Sequence, residues 1–278
     1  MKQTLIWILG IVITLAAAYY QRLTGPTHPF GQKIEMNGQT YNLKLIRSHG
    51  GTSDAEIVLP IADTAVWAQL TYRQFPKGES YTTLDFQKKD NQLVAKLPNQ
   101  PPAGKLEYFV YITDNSQEVE LPHQIIRFKG DVPALWLIPH VILMFLAMLL
   151  SNVTGMMVLF NSGNWVRMTI FTSLLLLLGG LILGPIVQLH AFGDLWTGIP
   201  FGWDLTDNKT LIAAIFWGIA LWQNHRSPSR LWTAIAVLVM LLVYAIPHSL
   251  FGSELDTETG RVIQGCIMLQ YLKTWVKG

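Results

Sequence analysis

The hydrophobic pattern of the chain changes within the stretch KGDVPALWLIPHVILMFLAMLL, residues 129–150. Before Lys129, apolar residues alternate with polar ones, which is typical of β-strands with one buried face. After Pro133 the residues are almost all apolar, as in a helix that crosses a lipid bilayer. The sequence therefore predicts a β-domain followed by a membrane domain.

The charged residues divide at the same place. Half of the residues are apolar and 14% are charged, against about 25% charged in an ordinary soluble domain. Residues 22–132 carry 12 basic and 12 acidic side chains, whereas residues 133–278 carry only 7 and 6. This composition excludes a disordered chain, and a formal net charge of +2 without a long basic run excludes nucleic acid as a partner. We expect the lipid bilayer to surround residues 133–278.

The predicted β-domain covers residues 22–132 and contains seven or eight short strands. Asn37-Gly38 separates two alternating runs, which indicates a hairpin with a type I′ turn. The number and spacing of the predicted strands fit a β-sandwich. The further predicted strands are 55–60, 66–73, 81–88, 92–97, 105–113 and 118–128.

The segment PPAGKLEYFVYITD, residues 101–114, combines a Pro/Gly turn, a strand of alternating aromatic and β-branched residues, and an aspartate. It resembles the penultimate strand of fibronectin type III and other immunoglobulin-like domains. The resemblance extends over residues 28–130, without the cysteine pair and core tryptophan of true immunoglobulin domains. It implies an all-β immunoglobulin-like sandwich but no particular ligand, because such sandwiches serve many functions.

Apolar segments predict an N-terminal membrane anchor and an all-α transmembrane bundle of four helices. Residues 1–21 form the anchor, and the small residues 16–18 leave a cleaved signal peptide as an alternative. Residues 261–277 form either an interfacial helix or a short sixth crossing, which would be the fifth helix of the bundle. The expected fold class is therefore mixed: anchor, sandwich and bundle. The four predicted bundle helices are 134–160, 168–189, 207–222 and 231–250.

Basic residues predict the orientation of these helices. Arg167 lies in one connecting loop, and Arg226 and Arg230 lie in the loop 223–230, whereas acidic residues follow the last helix. The positive-inside rule places both loops in the cytoplasm. We therefore expect a multi-pass protein of the bacterial inner membrane, with its sandwich on the extracytoplasmic side.

The tripeptide Ile-Pro-His occurs twice, at residues 138–140 and 246–248, near the outer ends of two predicted helices. Two imidazoles at one depth are what axial ligation of a b-type haem requires, or two ligands of a transition metal. The sequence therefore predicts His140 and His248 as cofactor ligands. The alternative is that each histidine is hydrated near the lipid headgroups or bonds a carbonyl freed by the adjacent proline.

The string HVILMF, residues 140–145, carries a second resemblance. It is similar to the first core helix of cytochrome b561-type proteins, some of which also have an extracytoplasmic β-sandwich. This similarity implies a haem b. The b561 pattern also has deeper histidines for a second haem, which the helices of this chain lack.

The loop 190–210, HAFGDLWTGIPFGWDLTDNKT, is rich in carboxylates, glycines and aromatic residues. Its His190 and Asp204 could join His140 and His248 in a mixed nitrogen and oxygen metal site suited to Zn²⁺ or an oxidised metal. We expect Thr206 or Asp207 to cap the following helix, which leaves Asp204 available as a ligand.

No complete catalytic set is visible in the sequence, so enzymatic activity stays open. The leading prediction is an accessory or assembly subunit of a membrane complex, whose sandwich either docks a protein partner or covers the bundle. The alternative is a b-type haem or metal-binding redox protein with its ligands at the outer membrane face. A transporter is a third class, but among the Lys and Arg residues only Lys209 approaches the bundle, and no charge relay is evident.

Overall fold

The computed structural model describes residues 2–76, 78, 80–114, 117–248, 254–256, 259–260 and 262–263. The chain divides into two compact units. The β unit contains residues 27–131 and 254–263, and the helical unit contains residues 2–26 and 132–248.

Three sheets form the main part of the β unit. The largest has the strand order β3-β11-β9-β5-β6, with β10 beside β9, and the others are β4-β8-β7 and the hairpin β1-β2. Strand β11 runs parallel to β3, and the other pairs of the largest sheet are antiparallel. The strands are β1 (Phe30–Met36), β2 (Gln39–Leu45), β3 (Ser48–Gly50), β4 (Ala55–Leu59), β5 (Trp67–Gln74), β6 (Thr82–Asp85), β7 (Gln87–Lys89), β8 (Gln92–Leu97), β9 (Lys105–Thr113), β10 (Glu118–Glu120) and β11 (Gln124–Lys129).

One hydrophobic core joins the three sheets. Leu43, Leu59, Leu70, Tyr108 and Phe128, from five different strands, are almost completely buried in it. Burial on this scale stabilises a fold by roughly 1.5–3 kcal/mol for each large apolar side chain. The β unit is therefore a packed body with its own core.

The predicted hairpin at Asn37-Gly38 is confirmed. Both residues have positive φ, 49° and 72°, as a type I′ turn requires. The predicted strand 81–88 instead divides at Phe86, because β6 pairs with β5 in one sheet while β7 pairs with β8 in another. The predicted strand 118–128 also divides, at Pro122, which has no N–H to donate to a ladder.

A short segment that follows the helical unit in sequence completes the β unit. Strand β12 (Glu254–Leu255) pairs with β13 (Val262–Ile263), and Leu255 N donates to Ala103 O at 3.1 Å. The Glu254 carboxylate is buried and forms an ion pair with the buried Lys105 ammonium group. Apart from Val262 and Ile263, the predicted helix 261–277 lies outside the described residues.

The helical unit contains six α-helices and one π-helix in the part of the chain that is described. Helix α3, the π-helix and α4 are continuous and form one helix of 28 residues, Trp165–Phe192. The elements are α1 (Lys2–Thr24), α2 (Ala134–Leu159), α3 (Trp165–Leu176), the π-helix (Leu177–Leu183), α4 (Gly184–Phe192), α5 (Leu205–Arg226) and α6 (Arg230–Ala245).

The predicted bundle of four or five transmembrane helices is wrong. Among the described residues, three helices are long and apolar enough to cross a membrane: α1, α2 and Trp165–Phe192. Helix α5 carries Asp207 and Lys209 in its first turns. Helix α6 has 16 residues, about 24 Å, which is short for a bilayer core of about 30 Å. The predicted cytoplasmic position of loop 223–230 assumed that α5 and α6 both cross the membrane, and neither is among these three helices.

Helix α6 ends earlier than the predicted 231–250 segment because Ile246 precedes a proline. Ile246 adopts an extended conformation with ψ of 120°, as the clash of Pro247 with the preceding residue favours. The carbonyls of the last helical turn therefore need hydrogen-bond donors from elsewhere.

Glycines allow close helix packing at two places. A Cβ on Gly10 of α1 would lie 2.6 Å from Val153 Cγ2 of α2. Within the π-helix, a Cβ on Gly179 would lie 3.0 Å from Leu143 Cβ, and a Cβ on Gly180 would lie 2.9 Å from a methyl group of α5. These glycines bring α2 and α5 against the π-helix.

Candidate functional site

His140 bonds to the backbone of the π-helix. Its Nδ1 lies 2.9 Å from Gly179 O and must be the donor, because a carbonyl oxygen only accepts. Gly179 O also accepts from Gly184 N, the i→i+5 bond of the π-helix. This arrangement fixes the tautomer and leaves Nε2 as the basic nitrogen. His140 does bond a backbone carbonyl, but this carbonyl belongs to the π-helix and is not one freed by Pro139. A bond of this kind is also how histidine ligands are commonly oriented.

His248 lines a small cavity in the helical unit. The cavity has a volume of about 10 Å³, enough for about one water molecule. Sites that hold cofactors usually measure roughly 300–1,000 Å³. A haem therefore does not fit beside His248 unless the surrounding helices separate, and the haem assignment to His140 and His248 stays a prediction. The other cavity residues are Gln21, Met144, Leu176, Lys209, Thr210, Ala213, Val243 and Tyr244.

Asp204 is the N-cap residue of α5, in place of the predicted Thr206 or Asp207. Its Oδ1 accepts hydrogen bonds from Thr206 N at 2.8 Å and Asp207 N at 3.2 Å. The helix begins at Leu205, two residues before the predicted start, so the capping position moves to Asp204. This carboxylate therefore has the structural role that was predicted for Thr206 or Asp207.

The four predicted metal ligands do not form a cluster. His190 lies in the last turn of α4, His140 on α2, and Asp204 at the start of α5. Within the described ranges, no group of three or more His, Cys, Asp or Glu side chains could hold a metal ion. The metal assignment to His140, His190, His248 and Asp204 therefore stays a prediction without a supporting geometry.

Asp207 binds the connector between α4 and α5, residues 193–204. Its Oδ2 accepts from Thr197 N at 2.6 Å, from Thr197 Oγ1 at 3.2 Å and from Gln188 Nε2 at 3.0 Å. Burial raises the pKa of Asp207, and the bonds from Thr197 and Gln188 oppose this shift. Next to it, Asn208 Oδ1 accepts from Ile199 N at 2.8 Å. Two consecutive side chains of α5 therefore hold the connector in place.

Lys209 is a buried cation that the sequence analysis did not select as a site residue. Its Nζ donates to Ile246 O at 2.7 Å, just beyond the end of α6. Gln21 of α1 donates to the same carbonyl at 3.3 Å and to Tyr244 O at 3.0 Å. Burial lowers the pKa of Lys209 to about 8, and the negative charge of Asp204 opposes this shift.

These contacts form one polar network at the ends of α4, α5 and α6. Asp204, Asp207 and Lys209 are each at least nine-tenths buried. Each side chain satisfies backbone groups that a helix end or the connector leaves without partners. The arrangement is suited to holding helix ends in register. In the sequence Lys209 stands out as the Lys or Arg that approaches the predicted bundle, but its carbonyl partner follows from the unwinding at Pro247.

Neither a comparison with models of protein families nor a comparison with curated proteins finds a match to this chain.

Proposed function

We propose that this protein is an accessory or assembly subunit of a complex in the bacterial inner membrane, with its β unit on the extracytoplasmic side as the part that docks a partner. The observation that carries the proposal is the polar network of the helical unit. Asp204, Asp207 and Lys209 are committed to backbone groups, which is the use expected of a rigid platform. Three helices able to cross a membrane support the location.

The packing of α1 supports a retained membrane anchor. Ile6, Gly10 and Thr14 recur every four residues and are buried on one side of the helix. Thr14 Oγ1 accepts a hydrogen bond at 2.9 Å from Asn152 Nδ2 of α2. A helix that packs closely and shares a buried polar contact stabilises its partner, whereas a signal peptide is removed.

The path of the chain supports a position on the same side of the membrane for the two segments of the β unit. Residues 131 and 254 belong to that one unit, so the chain between them crosses the bilayer an even number of times. Helix α2 and the helix Trp165–Phe192 provide two such crossings. Arg167 lies just after the connection between these two helices, which favours the cytoplasm for that connection.

Strand order supports the immunoglobulin-like assignment. Strands β11, β9 and β5 lie side by side in one sheet, and β4 and β8 pair in another. If β4, β5, β8, β9 and β11 are taken as strands B, C, E, F and G, this is the distribution of an immunoglobulin-like sandwich. Domains of this class commonly display interaction surfaces on a stable frame.

The test is purification of the full-length protein from its own membranes with a mild detergent, followed by native electrophoresis and mass spectrometry. We expect a complex clearly larger than the 31.3 kDa chain, with the same partner in independent preparations. A particle that contains only this chain would contradict the proposal. An absorption spectrum of the same preparation tests the redox alternative: a Soret band that disappears in His140→Ala or His248→Ala would replace the proposal with a haem function.

A further inference from the structure

The largest sheet of the β unit has one side in the core and one side facing outward. Along β9, Leu106, Tyr108, Val110 and Ile112 are buried in the core. The residues between them face the opposite side, together with the β5 residues that pair with them. Part of this outward side is open, and we call it the aromatic face. It consists of Trp67, Arg73, Tyr81, Asp85, Glu107, Phe109, Tyr111, Glu118, Glu120 and His123.

Aromatic rings form a continuous cluster on this face. The Phe109 ring stacks on His123 at 4.2 Å between ring centroids, and Tyr81 and Tyr111 meet Phe109 edge-on at 5.7 Å and 5.4 Å. Yet Trp67, Tyr81 and Tyr111 are 54%, 44% and 40% exposed. Exposed rings that are held in place by their neighbours are the residues that most often provide binding energy in protein interfaces.

The charge of the aromatic face is mainly negative. Among its described residues are four carboxylates, Asp85, Glu107, Glu118 and Glu120, and one guanidinium group, that of Arg73. Tyr111 is hydrogen-bonded to Glu120, which raises the pKa of the tyrosine. Carboxylates beside exposed tyrosine and tryptophan rings are complementary to a cation, because the ring face and the carboxylate both attract it.

Arg73 shows how this surface holds a guanidinium group. Its Nε donates to Glu107 Oε2 at 2.5 Å, and its Cζ lies 4.9 Å from the centre of the Tyr81 ring. Tyr111 with Glu120 repeats the combination of ring and carboxylate on the same side of the sheet, with its ring more than one-third exposed. Glu120 also lies 3.5 Å from His123 Nε2, but its side chain is 46% exposed. The second combination is therefore accessible to an arginine from another molecule.

We propose that the aromatic face binds an arginine-bearing segment of a partner protein, with Tyr111, Glu118 and Glu120 receiving the guanidinium group. The inference rests on the proposed function and names the surface and the chemistry of the partner. It does not require a second copy of this chain or a lipid surface.

The experiment is site-specific photo-crosslinking of the full-length protein in its own membranes. Tyr111 is replaced by photoreactive benzoylphenylalanine, which keeps an aromatic ring at this position and leaves Glu118 and Glu120 unchanged. Lys96, exposed on β8 of another sheet, is the control position. We expect a protein adduct from position 111, with an arginine in the linked peptide. Glu118→Lys with Glu120→Lys should reduce the yield by about tenfold, whereas the matched Glu56→Lys should leave it unchanged. Trp67→Ser, at an exposed ring, should reduce the yield as well.

Several results would overturn the inference. They are an adduct with lipid or with a second copy of this chain, a linked peptide without arginine, and an unchanged yield after the double charge reversal in a variant whose thermal unfolding is normal. An adduct from position 96 alone, or an intact complex without any adduct, would reject this surface and leave the proposed function standing. A protein that is extracted alone and gives no adduct would reject both.

Discussion

Asp204 and Asp207 are three residues apart, and both are buried, but their roles differ. Asp204 accepts from the first free N–H groups of α5, and Asp207 accepts from the connector before it. The residue types allowed the sequence analysis to predict a carboxylate cap. The position could not be predicted, because a helix can begin one or two residues earlier without a change in the local pattern, and a shift of two residues moves the capping role to another aspartate.

We expect Asp204→Ala to destabilise the helical unit by about 1 kcal/mol, since it leaves two N–H groups of α5 without acceptors. Asp204→Asn keeps an acceptor oxygen and should lose much less. Thermal unfolding of the purified protein in detergent, followed by circular dichroism at 222 nm, measures the difference. Equal losses in the two variants would mean that the carboxylate acts through its charge and not as a cap.

Glu254 and Lys105 form a buried ion pair between residues 149 positions apart in sequence. Glu254→Gln leaves the buried ammonium group without its countercharge, which should cost about 3–5 kcal/mol. Glu56→Gln is the matched control, because the Glu56–Lys96 pair is at least half exposed and should contribute about 0–1 kcal/mol. Hydrogen exchange of peptides from β9 and β11 in the full-length protein measures the loss of stability in each variant. Equal protection in the two variants would contradict a stabilising role for the Glu254–Lys105 pair.

The same pair predicts a dependence of stability on pH. Burial lowers the pKa of Lys105 below 10.5, and Glu254 opposes this shift. Between the folded pKa and 10.5 the unfolded chain binds more protons, so the stability of the β unit should rise with pH in that window. In Glu254→Gln the opposing charge is lost, and the rise should begin at lower pH. Hydrogen exchange between pH 7 and pH 10.5 tests this; identical curves for the two proteins would count against it.

Helix α1 contacts α2 through a face whose narrowest point is Gly10. In Gly10→Ala the added methyl group would meet Val153 at 2.6 Å, and the stiff β-branched side chain cannot easily move away. Gly218 of α5 is the matched control, because a Cβ there meets nothing within 4 Å. We expect Gly10→Ala to lower the melting temperature and Gly218→Ala to raise it slightly through helix propensity, about 1 kcal/mol. Equal shifts would show that α1 does not pack as described.

The elements show which parts of the fold can be predicted from sequence. Strands β8 and β9 have the predicted bounds, because alternation along one strand is a local signal. The division at Phe86 depends on which strand lies alongside, so no local pattern reports it. The number of membrane-capable helices was overestimated, since hydropathy alone gave too little weight to the helix end before Pro247 and to the charges at the start of α5.

For the whole molecule, chain connectivity gives a prediction of topology. After replacement of Cys266 by serine, single cysteines introduced by Asp131→Cys and Thr259→Cys should react with a membrane-impermeant maleimide from the same side. Both positions lie in the β unit. Ser162→Cys, between α2 and α3, should react only after the membrane is permeabilised. Labelling of positions 131 and 259 from opposite sides would contradict an even number of crossings between them.

The candidate site was predictable in its residue types but not in its assembly. The proline next to His140 predicted a bond to a carbonyl of the same helix, whereas His140 bonds the Gly179 carbonyl. The partner carbonyl lies 39 positions later and is presented by a π-helix, which composition does not reveal. In the same way, Lys209 meets Ile246 only once α5 and α6 are packed together.

The place of Glu254 in the β unit sets an order of events during biosynthesis. Asp131 leaves the ribosome 123 residues before Glu254, and at about 5–20 residues per second this separation lasts roughly 6–25 s. During that interval Lys105 has no carboxylate from position 254, and the nascent β unit lacks the pair of strands β12 and β13. The core of the β unit can therefore form before its buried ion pair, and that pair can close only after residues 132–253, which include α2 to α6, have been synthesised.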